Sequence, residues 1–164
     1  MRIAVQDANI IIDLIDCGIF ELFFRLEFEV VTSSLVLGEI TESSQRKACQ
    51  AVVRKKWLNV VEISTLDYLR LQRLNLPGLS VPDRSALELA EARRACLLTG
   101  DGRLRKAAKS SDVDVTGILW VFDQLIGSGL LSKAEARTRL AELKERNQRL
   151  PKAEIEKRLK AWSG

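Results

Sequence analysis

Ile3-Ala4-Val5-Gln6-Asp7-Ala8-Asn9 is a short apolar run that ends on a carboxylate. A run of this length, with β-branched residues, is too short for a helix and reads as a buried strand. The same figure returns in Cys96-Leu97-Leu98-Thr99-Gly100-Asp101. Phe28–Val31, Val60–Ile63 and Val113–Val115 are three further runs of strand type. Between them lie stretches with helical period. Asn9 is placed to cap a helix whose apolar residues run from Ile11 to Phe23, and Ser33 or Ser34 to cap the next, which carries Glu39. Thr41 to Trp57 and Thr65 to Asn75 read as helices, the latter ended by Pro77-Gly78. Ser80-Val81-Pro82-Asp83 has capping-box spacing ahead of Ala86–Arg94. Gly117–Ile126, Ser132–Leu150 and Lys152–Trp162 follow. Strands alternating with helices imply a mainly parallel sheet of about five strands, covered on both faces.

Composition bounds the chemistry. The 164 residues suit one ordinary domain, and 46% hydrophobic with 29% charged residues are values of a soluble globular protein. No signal peptide or membrane span is expected from the N-terminal pattern or from any apolar run. Cys17, Cys49 and Cys96 are scattered among apolar residues and read as buried thiols in a reducing cytoplasm. There is no histidine. That removes Ser-His-Asp triads, Cys-His dyads and nearly every zinc enzyme. A metal site here must be built of Asp and Glu, which favours hard ions such as Mg²⁺ or Mn²⁺. From Lys133 onward ten Lys/Arg face five Asp/Glu, a net of +5 within a total of +4, so the preceding 132 residues sum to −1. A basic C-terminal quarter hints at a polyanionic partner.

In open parallel sheets, ligands bind beyond the carboxyl ends of the strands. Asp7 and Asp101 follow two such ends. Glu39 shares a helical spacing with the apolar Val36 and Ile40, and Asp83 falls in the first turn of the helix before the fourth strand. Four carboxylates in one cleft repel, and cations resolve the repulsion; a two-metal phosphodiesterase site is built this way, one ion activating a water and the other stabilising the leaving oxygen. Each acid also has a plainer reading. Asp7 could cap a helix, Glu39 could be solvated, Asp83 could serve only the Ser80 capping box, and Asp101 could be a turn residue.

These motifs resemble the PIN-domain (PilT N-terminal) family, including its small VapC-like ribonucleases and solitary members. Asp7-Ala8-Asn9 resembles the family's opening motif, and Ser34-Leu35-Val36-Leu37-Gly38-Glu39-Ile40 its second acidic motif. Val81-Pro82-Asp83-Arg84-Ser85-Ala86-Leu87-Glu88-Leu89-Ala90 is similar to the third, and Leu97-Leu98-Thr99-Gly100-Asp101-Gly102-Arg103-Leu104-Arg105 to the fourth; the 18-residue step from Asp83 to Asp101 fits too. The resemblance covers residues 1–130, leaving 131–164 as a C-terminal helical extension packed on the same domain. It implies a three-layer α/β/α sandwich and Mg²⁺- or Mn²⁺-dependent endonucleolytic cleavage of single-stranded RNA, often by a homodimer and in toxin members restrained by a cognate antitoxin. It further implies that Asp7, Glu39, Asp83 and Asp101 bind metal, with Asn9 and Thr99 orienting them or a metal-bound water. The sequence departs from the family where Gly102 stands in place of a second acid, which leaves a one-metal enzyme open. Asp112 and Asp114 could substitute only if their loop folds back.

Arg103, Arg105 and Lys106 follow Asp101 and are candidates for phosphate contact, with Arg84 a weaker one; Lys and Arg contacts supply most sequence-independent affinity. The plainer reading is a solvated helix face. Trp57, Trp120, Trp162 and Tyr68 form no stacking stripe, and Trp120 reads as core. Two rival functions stand beside the nuclease. One is a PIN-fold protein, catalytically weak or inactive, that binds RNA or a partner. The other is a receiver-like domain, which would want an acidic pair after strand one where Asp7 stands alone.

Overall fold

The computed structural model describes residues 2–164. Five parallel strands form one sheet in the order β3-β2-β1-β4-β5. These are β1 (Arg2–Gln6), β2 (Phe28–Ser33), β3 (Leu58–Val61), β4 (Cys96–Leu98) and β5 (Val115–Thr116). The central strand β1 pairs Ala4 with Val30 on one side and Cys96 on the other. Ala4 and Val5 are buried, as a strand covered on both faces must be. The sheet is all parallel rather than mainly so. β3 begins two residues before the apolar run Val60–Ile63, because Leu58 is the buried residue that pairs with Val30. β5 is reduced to two residues.

The helices are α1 (Ala8–Asp16), α2 (Phe20–Phe23), α3 (Ser34–Gly38), α4 (Ser43–Arg54), α5 (Thr65–Gln72), α6 (Val81–Arg93), α7 (Gly102–Ser110), α8 (Ile118–Gly127), α9 (Lys133–Arg146) and α10 (Lys152–Ala161). α1 touches α4 and α8, while α6 touches α5 and α7. Right-handed crossovers put these two groups on opposite faces of the sheet. The expected helix from Asn9 to Phe23 is in fact two. It stops at Gly18, whose φ is +74°. The Arg139 guanidinium lies where a side chain on Gly18 would stand, and donates to the Cys17 and Gly18 carbonyls at 3.1 and 3.2 Å.

One apolar core runs from Ala4 to Trp162. Ala136, Leu140, Leu143, Leu150, Ile155 and Trp162 of the C-terminal helices belong to it. Polar clamps add direction: Arg158 pairs with Asp123 of α8 at 2.7 Å, and Asn147 Nδ2 donates to both oxygens of Asp13 on α1 at 3.1 Å. The expected helix to Leu150 ends at Arg146, where Asn147 turns to make this contact. Trp120 is half-buried, edge-on to Phe28 at 5.6 Å. No helix among the described residues is long and apolar enough to cross a membrane.

Arg84 fixes the approach to α6. Its guanidinium donates to the carbonyls of Leu71, Gln72, Leu74, Leu76 and Leu79 at 2.9–3.1 Å. It gathers the frayed end of α5 and the following turn, so it is a structural residue rather than the phosphate ligand its position beside Asp83 suggested. Arg84→Ala should lower stability by about 2–4 kcal/mol in urea unfolding. Arg84→Lys should recover little of it, since a compact ammonium cannot span five carbonyls. A loss under about 1 kcal/mol for the alanine variant would show that water replaces these bonds.

Candidate active site

The chain leaves β1 towards β2 and β3, then returns to place β4 on the other side of β1. The gap between β1 and β4 is therefore the topological switch point, where an open parallel sheet forms its crevice. Asp7 and Asp101 follow the carboxyl ends of these two strands. Each is also the N-cap of the helix that comes next: Asp7 Oδ1 accepts from Ile10 N at 2.8 Å, and Asp101 Oδ1 from Leu104 N at 2.9 Å. The cap of α1 is thus Asp7, and Asn9 is an exposed residue within its first turn. Capping and site membership coincide in one residue, because a helix N-terminus favours a carboxylate.

Thr99 joins the two acids. Its hydroxyl donates to Asp7 Oδ2 and accepts from Asp101 N at 3.0 Å. Asp83 stands at the third position of α6 in a complete capping box, with Ser80 N donating to its Oδ2 at 3.3 Å and Ser80 Oγ accepting from its own N–H at 3.1 Å. Ser33 is the cap of α3, and Ser34 Oγ instead accepts from Ile63 N at 2.9 Å. Ser33 Oγ bonds Ser85 Oγ at 2.7 Å, and Ser85 donates to Pro82 O at 2.6 Å. This buried link holds the start of α3 against the start of α6. Glu39 departs from expectation. α3 is barely more than one turn and Glu39 is its C-cap, exposed, while Val36 and Ile40 alone are buried.

The acids sense one another. Asp7 is 2% exposed, and its carboxyl is pushed up to about 7, chiefly by burial; the bonds from Thr99 and Ile10 oppose this, and the charges of Asp83 and Asp101 add to it. Asp83 is raised by burial and by Asp101, against its Ser80 bonds. Glu39 is raised by partial shielding of its carboxyl and by Asp83. Among the described residues none of the four forms an ion pair. Nor do any three His, Cys, Asp or Glu side chains there stand close enough together, as they are turned, to cage a metal. Asp7 has both oxygens engaged, whereas among the described residues Asp83 Oδ1, Asp101 Oδ2 and both Glu39 oxygens accept no hydrogen bond. The donor set is all oxygen and uncompensated, which suits a hard cation. Asp112 and Asp114 lie at the opposite, amino-terminal end of β5, so they do not join the site.

A cleft of about 880 Å³ opens beside Asp101 on the β5 side. Asn9, Asp13, Arg105 and Thr116 line it, together with the Arg146–Pro151 bend; Asp7, Glu39 and Asp83 do not. Arg105 is half-buried and donates to Thr99 O at 3.1 Å; Arg103 and Lys106 are exposed, Arg103 lying against Gly78. Burial pushes the thiols of Cys17 and Cys49 up to about 12 and about 11, so neither is a nucleophile.

Sequence reasoning missed several polar residues here. Ser33 was one of the two caps the sequence offered, but its bond to Ser85 carried no signal, and the pairing of Asp13 with Asn147 spans too much sequence for any local pattern. Gln6 is fully buried, with neither side-chain atom partnered among the described residues. Such a group costs about 1–3 kcal/mol, and Gln6→Met should raise stability by about 1–2 kcal/mol in a urea melt; a destabilised variant would mean that the amide is satisfied in solution.

The raised carboxyls set a pH dependence. Asp7 holds its proton up to about 7 in the folded chain but only to 3.8 when unfolded, so the folded state binds more protons in between. Metal-free stability should therefore be fullest below about pH 4 for this group, fall as pH rises, and level off above about 7. Asp13, pushed up to about 6 by burial, has the same sign but finishes earlier. Urea unfolding in EDTA should show the fall from pH 5 to 8, and Asp7→Asn should flatten its upper part. A wild-type profile that rises with pH across this window would contradict the burial of a protonated Asp7.

The sequence matches the PIN-domain family DUF3368 over residues 3–164. No curated protein matches it. Among solved structures, a chain of VapBC2 from Rickettsia felis, in a complex bound to a DNA fragment from the VapBC2 promoter, is 19% identical with a TM-score of 0.47, over 70% of this chain and 98% of that one.

Proposed function

Because the chain belongs to the PIN-domain family, we propose that it is a metal-dependent endoribonuclease that hydrolyses phosphodiester bonds of single-stranded RNA. Asp7, Glu39, Asp83 and Asp101 are its metal-binding carboxylates, and Mg²⁺ or Mn²⁺ its cofactor. The observation that carries this reading is a buried Asp7 at the switch point, raised chiefly by that burial and further by the charges of Asp83 and Asp101, with no ion pair to offset them among the described residues. Such an arrangement is unfavourable without a cation and becomes favourable with one. A divalent ion held there supplies the Lewis acidity that phosphodiester hydrolysis needs.

The protein's own contribution is orientation. Thr99 sets the rotamer of Asp7 and, through the Asp101 N–H, the start of α7. The Ser33–Ser85 link brings Glu39 and Asp83 to the same edge. Asn9 flanks the cleft beside Asp101. Arg105, tethered to the Thr99 carbonyl, and the exposed Arg103 and Lys106 are the nearest cations for backbone phosphates. Residues 1–130 carry the chemistry, and 131–164 form an extension on the same core. By family, a cytoplasmic setting, a homodimer and a cognate antitoxin are the expected context.

The rival, a PIN-fold protein that binds without cutting, draws on Gly102 and on carboxylates that do not converge as they are turned. Cleavage of a mixed single-stranded RNA pool in Mg²⁺ or Mn²⁺ separates the two. The wild type should cut and EDTA should stop it. Asp7→Asn and Asp101→Asn should abolish cutting while staying folded, and Thr99→Val should cost about 10–100-fold, as loss of an orienting partner does. A folded wild type that never cuts would favour the binding protein. Cutting that survives both Asp variants would place the chemistry elsewhere.

A further inference from the structure

Ten basic residues lie from Lys133 onward, and most of those facing the core are already committed. Arg139 holds the Cys17 and Gly18 carbonyls, Arg158 holds Asp123 and Glu154, and Lys144 pairs with Glu156. Arg146 and Arg149 differ. Both line the cleft that opens at Asp101, both are exposed, and neither side chain has a hydrogen bond or ion pair among the described residues.

They are nonetheless held in place. Asn147, between them, donates to both oxygens of Asp13, and its own Oδ1 accepts from Arg149 N at 3.0 Å. Leu150 is buried at the far side of the bend, and Pro151 begins α10. The two cations thus stand on a short segment pinned at both flanks rather than on a loose loop. Of the four acids that line the cleft, Asp101 belongs to the proposed centre and the other three have partners among the described residues. Asp13 is covered by Asn147, Asp16 accepts from Gln45 at 3.0 Å, and Glu154 pairs with Arg158. Arg146 and Arg149 are thus cations of this lining with no acid paired to them among the described residues, and Arg105 lines the same cleft.

We propose that the Arg146–Pro151 bend is a phosphate-gripping wall for single-stranded RNA, Arg146 and Arg149 holding the backbone of the strand that runs along the cleft from Asp101. This rests on the nuclease reading and adds to it the path of the substrate. The carboxylates of Glu39 and Asp83 lie on the α3–α6 side of Asp101 and the cleft on the β5 side. A strand cut at the carboxylates therefore has one arm in the cleft, against residues of the C-terminal extension.

The test is binding rather than cleavage. A fluorescein-labelled oligouridylate is titrated with the full chain in EDTA at several salt concentrations. Arg146→Gln/Arg149→Gln should weaken binding several-fold, and the slope of log K against log salt should shrink by about 1.4, the value for two lost contacts on a single strand. Lys133→Gln/Arg137→Gln removes equal charge from exposed positions of α9 outside the cleft and should leave the slope within error. Equal losses in both pairs, or none in the first, overturn the wall. If RNA is still bound and cut by the wild type in that case, the nuclease reading stands without it. A wild type that neither binds nor cuts RNA sinks both.

Discussion

The Thr99 hydroxyl joins the ends of β1 and β4, donating to the carboxylate that ends one and accepting from the backbone of the acid that follows the other. Asp7 N also donates to the Leu98 carbonyl at 3.2 Å, so the two chain ends stay paired beyond the ladder itself. From this tie the layout follows. α1 and α7 start at fixed points on either side of the switch point, each with a carboxylate at its N-terminus. The helix dipoles favour those charges, while burial of Asp7 disfavours its own. The fold therefore keeps a poorly solvated acid in place by over-determining its geometry.

Much of this was legible in the sequence because strands that end in Asp announce a carboxyl edge. The Ser80 box and the step from Asp83 to Asp101 were local signals, and the structure keeps both. What was misplaced failed for physical reasons. Asn9 looked like the cap because it precedes the apolar period, but the strand ends one residue before Asp7 and the helix starts directly after it. Glu39 looked like part of an apolar helical face because Val36 and Ile40 share its spacing, but α3 stops after little more than a turn, too early for that spacing to define a face. The run Val113–Val115 was expected as a strand, yet β5 is Val115–Thr116, so Asp112 and Asp114 both fall before its paired residues. The Ser33–Ser85, Asp13–Asn147 and Arg139–Cys17 contacts join distant segments, and no periodicity reports such pairs.

Stability and activity pull against each other here. Burial, and to a lesser extent the neighbouring charges, raises the Asp7 carboxyl, and should make the metal-free chain weaker as pH rises. A neutral residue at Asp7 would relieve it and, on the proposed reading, remove a metal ligand, a trade-off expected where function needs an unfavourable local arrangement. The C-terminal helices offset part of this cost by adding Leu140, Ile155 and Trp162 to the common core.

That shared core has a consequence for how the protein is made. A nascent chain emerges amino end first. Asp7, Glu39, Asp83 and Asp101 are all synthesised before Leu150, Ile155 and Trp162, which complete the common core. Until those late residues arrive, Asp13 on the helix capped by Asp7 lacks its Asn147 partner. The carboxylate edge is thus laid down early and its supporting helices late, so a nascent chain carries the acids before the packing that steadies them.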